Sequence, residues 1–465
     1  MNTLSLALRN LLRNRRRSLT TLLAMIVGLV AILLFGGYSR NVILAMQTGY
    51  VQFHGHYQIQ RKDYFLYGSG NPAAYGIPDY ERIMDTVKRD PVLAPMLTVV
   101  TPKMQLGGIA GNFAAGVSKT VLASGIVVDE QNQMRAWDDF GSMSYSRPLA
   151  LTGTTPDAVV IGQGVARILQ LCGPLEVPNC PQAAATPQAS GPQAPDDIAA
   201  LSAMEKPAEA PAGAQNATAI EMLAANLRGA PNVTRLNVVK AENQGLKEVD
   251  DVFMIMHLQQ AQRLIYGSEK PQVTAIQLQL KHSSQMPAAK ARLEELLATT
   301  FKDAQLEIQA FQTLAPIYGQ TIQFFNSVFG FISILIGVIV LFTVGNTMSM
   351  AVVERTVEIG TLRAIGRRRG GIRSMFVCEG LLLGVIGSLL GVAIALLFSA
   401  LINNSGLTWT PPGYVYAYPV KTRVWGEAGL ILSSVLGMVV VAVISAWWPA
   451  NRASKMVIVD ALRHV

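Results

Sequence analysis

The sequence predicts an α-helical membrane protein with four transmembrane helices plus a large mixed α/β extracytoplasmic (periplasmic) domain between helices 1 and 2. Half of the 465 residues are hydrophobic and only 15% are charged, against about 25% charged residues in an ordinary soluble protein. Four apolar stretches are each long enough to cross a hydrocarbon core of about 30 Å. A far longer stretch, 40–326, separates the first from the second and alternates strand-like with helix-like patterns.

The chain begins with a basic segment, residues 1–17, in which Leu4, Leu8 and Leu11 recur at helical spacing among arginines. This pattern predicts an amphipathic helix in the cytoplasmic interface, and a simple positive-inside anchor is the alternative. The next stretch, 18–39, has 22 residues without a charge and predicts transmembrane helix 1. A cleaved signal peptide fits less well, because the apolar run is too long and no A-x-A site follows.

The predicted periplasmic domain, 40–326, carries strand patterns at 56–60 and 305–311 and a helical pattern at 288–301. A further alternating run, VTAIQLQLK at 273–281, also predicts a strand. These patterns predict a folded mixed domain.

Within that domain the composition shifts to Pro, Ala, Gln and Ser over about 173–215. Such a segment buries too little apolar surface to order itself, so we expect a flexible insert or linker, with a disordered partner-binding arm as the alternative. Cys172 and Cys180 stand close together at its start. In an oxidising compartment they are candidates for a local disulfide.

The remaining segments follow from hydropathy and charge. They are transmembrane helix 2 at 327–350, a cytoplasmic coupling helix and basic loop at 351–374, transmembrane helix 3 at 375–402, a short periplasmic loop at 403–426, transmembrane helix 4 at 427–448 and a cytoplasmic tail at 449–465.

Basic residues set the orientation of these helices. Residues 1–19 carry a net charge of +5, 351–374 carry +4 and 450–465 carry +2, whereas the whole chain carries +8. The basic residues therefore mark one membrane face, which the positive-inside rule makes cytoplasmic, and both termini lie there. This distribution argues against a nucleic-acid partner.

The segment from Met350 to Gly366 is the most informative. Its apolar positions recur near helical spacing at Val353, Val357, Leu362 and Ile365. Its charged positions, which we expect to face water or a partner, are Glu354, Arg355, Glu358 and Arg363. A cytoplasmic helix with two such faces can lie on the bilayer and dock a soluble subunit, and an ordinary charged loop is the alternative.

Four glycines follow in transmembrane helix 3, at positions 380, 384, 387 and 391. Gly380 with Gly384, and Gly387 with Gly391, form small-xxx-small pairs. Such pairs allow helices to approach closely in lipid. They favour a packed bundle or a dimer.

Signs of catalysis are weak. The run from Gly111 to Thr120 resembles a phosphate loop, but two residues separate its glycine from Lys119, and we expect a turn. His54 and His56 form at most half of a metal site. We therefore expect no catalytic, metal or cofactor site in this chain, so any ATP must be bound by another polypeptide.

Two motifs resemble those of the MacB/FtsX-type ABC transporter permeases, the type VII or mechanotransmission superfamily that includes the lipoprotein-releasing permeases. The family pattern E-R-x-x-E-I-G-x-L-R-A-x-G is matched by Glu354, Arg355, Glu358, Ile359, Gly360, Leu362, Arg363, Ala364 and Gly366. The following F-x-x-E-G is matched by Phe376, Glu379 and Gly380. The ending PANRASKMVIVDALRH is also similar, although Val459 stands near a position where proline is common.

The resemblance implies a non-catalytic membrane subunit that pairs with a dimer of cytoplasmic ABC ATPases, which bind ATP and Mg. It also implies a second copy of the permease or a similar permease, and a periplasmic carrier or adaptor. The nine residues of the first motif would couple to the ATPase. The implied cargo is a lipoprotein or other amphiphile from the inner membrane of a Gram-negative bacterium, with drug or peptide efflux, or signalling to a cell-wall hydrolase, as alternatives.

Overall fold

The computed structural model describes residues 7, 9, 13, 15–68, 70–141, 148–178, 180, 217–410 and 417–458. The chain divides into two compact units. The helical unit contains Met1–Met46, Ile317–Trp409 and Tyr418–Val465, and the α/β unit contains Gln47–Pro316 and Thr410–Ala417. Most of the predicted interfacial helix at 1–17, and most of the predicted insert at 173–215, lie outside the described residues.

Helices and strands are numbered in chain order among the described residues. The helices are α1 (Arg15–His54), α2 (Tyr64–Tyr67), α3 (Tyr80–Arg89), α4 (Val128–Arg135), α5 (Gln163–Ile168), α6 (Lys247–Asp250), α7 (Leu258–Tyr266), α8 (Met286–Thr299), α9 (Phe311–Leu314), α10 (Pro316–Glu354), α11 (Thr356–Ala364), α12 (Arg369–Asn404) and α13 (Ala428–Ser454). The strands are β1 (Tyr57–Arg61), β2 (Leu97–Asn112), β3 (Val117–Ile126), β4 (Ala158–Gly162), β5 (Ala219–Ala225), β6 (Pro231–Glu242), β7 (Phe253–His257), β8 (Ala275–Leu280), β9 (Leu306–Ala310), β10 (Thr408–Trp409) and β11 (Tyr418–Pro419).

Four helices, α1, α10, α12 and α13, are long and apolar enough to span a membrane by length and composition. They overlap the four stretches predicted from hydropathy but extend beyond them. The largest extensions are at the end of α1, which continues to His54, and at the start of α10, which begins at Pro316. The hydropathy signal ends where the side chains become polar, whereas the helical backbone continues.

A buried apolar cluster holds the helical unit together. Its members come from all four long helices and include Met25, Leu29, Leu33, Val340, Val344, Leu383, Met438 and Ala442. Between α12 and α13 the backbones approach closely, because glycines of α12 face alanines of α13.

The α/β unit is built on a nine-stranded sheet in the order β3-β7-β4-β6-β5-β2-β8-β1-β9, in which β3 also pairs with β2. The strands from β3 to β2 therefore close into a six-stranded ring. Strand β2 has 16 residues, and this length lets it pair with β8 near its start and with β3 and β5 further along. The main apolar core of the unit includes Leu106, Val121, Met222 and Met254 from the strands of this ring.

Three of the predicted strands and the predicted helix of this unit are confirmed. Strands β1, β8 and β9 fall on the patterns at 56–60, 273–281 and 305–311, and α8 falls on the pattern at 288–301. The run from Gly111 to Thr120 lies at the β2–β3 hairpin, where a short 3-10 turn ends at a glycine with a φ of 67°. The predicted turn is therefore confirmed.

The last turns of α1 are held inside the α/β unit by glutamine side chains. Gln277 donates to the carbonyl of Phe53 at 3.0 Å, and Gln279 donates to the carbonyl of Val51 at 3.3 Å. The final carbonyls of a helix lack partners within the helix. Gln277 supplies a partner for the carbonyl of Phe53, and the carbonyl of Val51 also accepts from the amide of Gly55. The end of α1 that belongs to the α/β unit is therefore held by hydrogen bonds.

Cys172 and Cys180 are joined by a disulfide with a Cα–Cα distance of 6.2 Å. His56 is fully buried, and its Nδ1 accepts a hydrogen bond from the amide of Leu280. Burial lowers the pKa of His56 to about 4. Among the described residues, no group of three His, Cys, Asp or Glu side chains is placed to hold a metal ion.

Candidate functional site

The segment after α10 forms a short helix between two sharp turns. Helix α10 ends at Glu354, and α11 then runs from Thr356 to Ala364. The hydroxyl of Thr356 donates to the carbonyl of Val353 at 2.7 Å across the first turn. The second turn places Gly366 at a φ of 100°, a backbone region that favours glycine. The sequence therefore encodes a separate helix at this position.

A buried ion pair anchors the first of these turns. Arg355 Nη1 donates to Glu379 Oε1 of α12 at 3.0 Å, and the two side chains are 5% and 3% exposed. The expectation that Arg355 faces water or a partner is therefore wrong. A guanidinium leaves water only with a counter-charge, and Glu379 supplies that charge from the adjacent helix.

The inner side of α11 packs on apolar residues of α12 and α13. Ile359 belongs to a buried cluster with Ile372 and Phe376 of α12 and Ala450 of α13. Gly360 is also buried. The structure thus places three members of the predicted coupling set, Arg355, Ile359 and Gly360, away from the surface.

The acidic residues of this segment pair with arginines from the start of the chain. Arg17 bonds Glu354, and Arg13 bonds Glu358. Exposed pairs of this kind contribute at most about 1 kcal/mol, so their main effect is to neutralise the carboxylates. Arg363 in turn donates to the backbone carbonyl of Met456. Each charged side chain of the predicted outer face therefore has a partner within the chain.

These ion pairs have a signal in the sequence that was missed. Arg13 and Arg17 are four residues apart, and so are Glu354 and Glu358. Residues four apart in a helix lie on the same side, and the turn between α10 and α11 keeps Glu354 and Glu358 at a spacing that lets both pairs form. The equal spacing of opposite charges is the signal.

The side chains that remain exposed are mainly apolar. Val353, Val357 and Ile365 have exposed fractions of 65%, 45% and 80%, and Thr361 between them is also exposed. We call these four residues the coupling surface; they are spaced by four, and the last three follow one face of α11 and its C-terminal turn. The apolar positions were expected to form a face that can lie on the bilayer, and three of the four are exposed. Leu362 is half-buried, while Ala364 and Gly366 are exposed.

The predicted packing glycines lie at two helix contacts. A Cβ on Gly380 would lie 2.5 Å from the Cβ of Ala446, and a Cβ on Gly384 would lie 3.2 Å from the Cβ of Ala442, both on α13. A Cβ on Gly387 or Gly391 would lie 3.0–3.2 Å from side chains of α1. These glycines therefore serve packing within the helical unit.

Comparison with known proteins agrees with this arrangement. The family model described as FtsX-like permease C-terminal matches residues 327–458, which include α11, α12 and α13. Over these residues the chain is similar to FtsX-like permeases. The chain is 36% identical to ABC transporter permease YtrF of Bacillus subtilis over 144 residues, which cover 29% of this chain and 31% of YtrF.

Other relatives cover different shares of the chain. It is 26% identical over 222 residues to an ABC transporter permease of Methanocaldococcus jannaschii, covering 46% of this chain and 51% of that one. It is 28% identical over 201 residues to the macrolide export ATP-binding/permease protein MacB of Bdellovibrio bacteriovorus, covering 41% of this chain and 28% of MacB. In each case the match spans less than two thirds of the relative's length.

Proposed function

We propose that this permease is the non-catalytic membrane subunit of an ABC transporter, and that its coupling surface docks a separate cytoplasmic ATPase. The exposed apolar row of Val353, Val357 and Ile365 is the observation that carries the proposal. Contiguous exposed apolar side chains mark interaction sites. Because the neighbouring carboxylates are already paired with arginines, docking through this surface rests on apolar contact and shape.

The membrane orientation follows from the same end of the helical unit. The arginines of the N-terminal segment and of the loop after α11 lie at the end that carries the coupling surface. The positive-inside rule assigns that end to the cytoplasm, where ATP and Mg are available to the partner ATPase. The α/β unit then lies on the periplasmic side of the inner membrane.

Movement driven by the ATPase would reach the α/β unit through α1. This helix is continuous over 40 residues, and its last carbonyls are held by Gln277 and Gln279. A helix transmits displacement along its axis as long as its hydrogen bonds persist. The hydrogen bonds that hold the end of α1 in the α/β unit therefore support a role for this helix in moving that unit during the ATPase cycle.

For the cargo we propose a lipoprotein or another amphiphile, moved with the help of a periplasmic carrier or adaptor. A second permease copy, or a similar permease, would complete the transporter. The relatives named as macrolide exporters favour drug or peptide efflux as the second candidate. A third is signalling to a cell-wall hydrolase, and the protein retained by the periplasmic unit distinguishes among the three.

Charge insertion into the coupling surface tests the docking proposal. We expect Val357→Asp and Ile365→Asp to abolish permease-dependent stimulation of ATP hydrolysis by the partner ATPase in proteoliposomes. The matched control is Leu407→Asp, which changes a residue that is 57% exposed beyond the other end of α12. If stimulation survives both coupling-surface variants in a folded, monodisperse protein, the proposed docking surface is wrong.

A further inference from the structure

A groove indents the helical unit between α10 and α13, close to its arginine-bearing end. Its volume is about 940 Å³, within the range of about 300–1,000 Å³ that small-molecule sites occupy. Phe342 of α10 with Ile444 and Trp448 of α13 form its apolar walls, and Thr343, Asn346 and Ser445 add polar groups. It therefore has a mixed apolar and polar lining on the outside of the helical unit.

The polar groups of the groove differ in how they are satisfied. Thr343 and Ser445 donate their hydroxyl protons to carbonyls of their own helices at 2.8 and 2.6 Å. Asn346 is exposed to the groove, and its side-chain amide makes no hydrogen bond with any described residue. An amide facing hydrocarbon without a partner is costly. In a membrane, its position in the groove therefore favours contact with a polar group from outside the helical unit.

Depth and charge identify the class of that group. Asn346 lies eight residues before Glu354 on α10, which corresponds to about 12 Å along the helix axis. Trp447 and Trp448 also line the groove, and tryptophans favour the level of the lipid headgroups. Arg17, one turn before the groove residue Thr20, bonds Glu354 through Nη2 while its buried Nη1 has no partner. The groove thus runs from a cationic end into the hydrocarbon.

We propose that this groove binds an anionic glycerophospholipid of the bilayer. The acyl chains would lie against Phe342 and Ile444, and an ester or glycerol oxygen would accept a hydrogen bond from the Asn346 amide. The phosphate would lie toward the arginines of the N-terminal segment, where Arg16 is exposed four residues before Thr20 and its charge complements a phosphate. This site needs no ATPase to fill it.

Lipid retention measures the proposal directly. The full chain is purified in nanodiscs of equal phosphatidylglycerol and phosphatidylcholine, and the lipids that stay bound after detergent extraction are quantified by mass spectrometry. We expect preferential retention of phosphatidylglycerol, reduced about fivefold by Asn346→Leu, the factor that one net hydrogen bond is worth. Asn346→Gln keeps the amide and should retain the lipid. Ser433→Leu, an exposed polar-to-apolar change near the other end of α13, should have no effect.

A second measurement keeps the proposal falsifiable if Asn346→Leu misfolds. A photoreactive amino acid replaces Leu341, which lines the groove, and is activated in native membranes. A mass increase equal to a phospholipid supports the proposal. A cross-link to a second copy of the chain overturns it, because the groove is then a protein interface. Equal retention of both lipids by the unaltered chain also overturns it.

Discussion

The ion pair between Arg355 and Glu379 gives a sharp test of how the coupling segment is held. Both side chains are almost fully buried, and the nitrogen and oxygen atoms are 3.0 Å apart. Removing one partner leaves the other charge buried and unpaired, which costs about 3–5 kcal/mol. We therefore expect Glu379→Ala and Arg355→Met each to lower the free energy of unfolding by about that amount.

The double variant Arg355→Met/Glu379→Leu shows whether the lost free energy of unfolding comes from leaving one charge unpaired or from changing the side chains at these positions. Replacing a buried ion pair with apolar residues is often neutral or stabilising by about 1–4 kcal/mol, so most of the lost stability should return. The assay is thermal unfolding of the full chain in detergent. As a control, Glu427→Ala breaks the solvent-accessible pairs with Arg40 and Arg423 and should cost at most about 1 kcal/mol per pair. Additive losses in the double variant would refute the reasoning.

Three further predictions concern packing, pH and the disulfide. Gly380→Ala places a methyl group 2.5 Å from the Cβ of Ala446 and should cost about 1–3 kcal/mol in thermal unfolding, with partial rescue by Ala446→Gly. Burial lowers the pKa of His56 to about 4, whereas its ordinary value is 6.5. Between these two pH values the unfolded chain therefore binds more protons than the folded chain. The free energy of unfolding should therefore fall as the pH falls from 6.5 to 4, and His56→Gln should make it depend less on pH over that range. Reducing the bond between Cys172 and Cys180, eight residues apart, should cost about 2–3 kcal/mol, measured by denaturant unfolding with and without reductant.

Hydropathy and periodicity predicted the helices and strands whose polar and apolar side chains alternate with the period of the backbone or form one long apolar stretch. The apolar stretch at 18–39 lies within α1, and the alternating run at 273–281 contains β8. The length of α1 beyond residue 39 was not predicted, because Arg40 ends the uncharged stretch and polar residues interrupt the apolar ones that follow. That part is instead held by tertiary hydrogen bonds from Gln277 and Gln279, which involve residues more than 220 positions away.

At the candidate site, the helix between two turns was predictable but its orientation was not. The spacing of Val353, Val357 and Ile365 predicted a face that can lie on the bilayer, and these side chains are exposed. The face that packs on the neighbouring helices uses Ile359 together with the buried pair of Arg355 and Glu379, which the pattern did not predict. A buried charge resembles a surface charge in sequence, so only knowledge of its partner on another helix separates the two.

Affinity purification of the tagged full chain from native membranes tests the central claim most directly. The preparation is made with and without a non-hydrolysable ATP analogue, and every retained protein is identified by mass spectrometry. The account predicts that an ABC ATPase is retained by the unaltered chain and by Leu407→Asp, and lost from Ile365→Asp. Recovery of a folded chain without any ATPase under both conditions would contradict it.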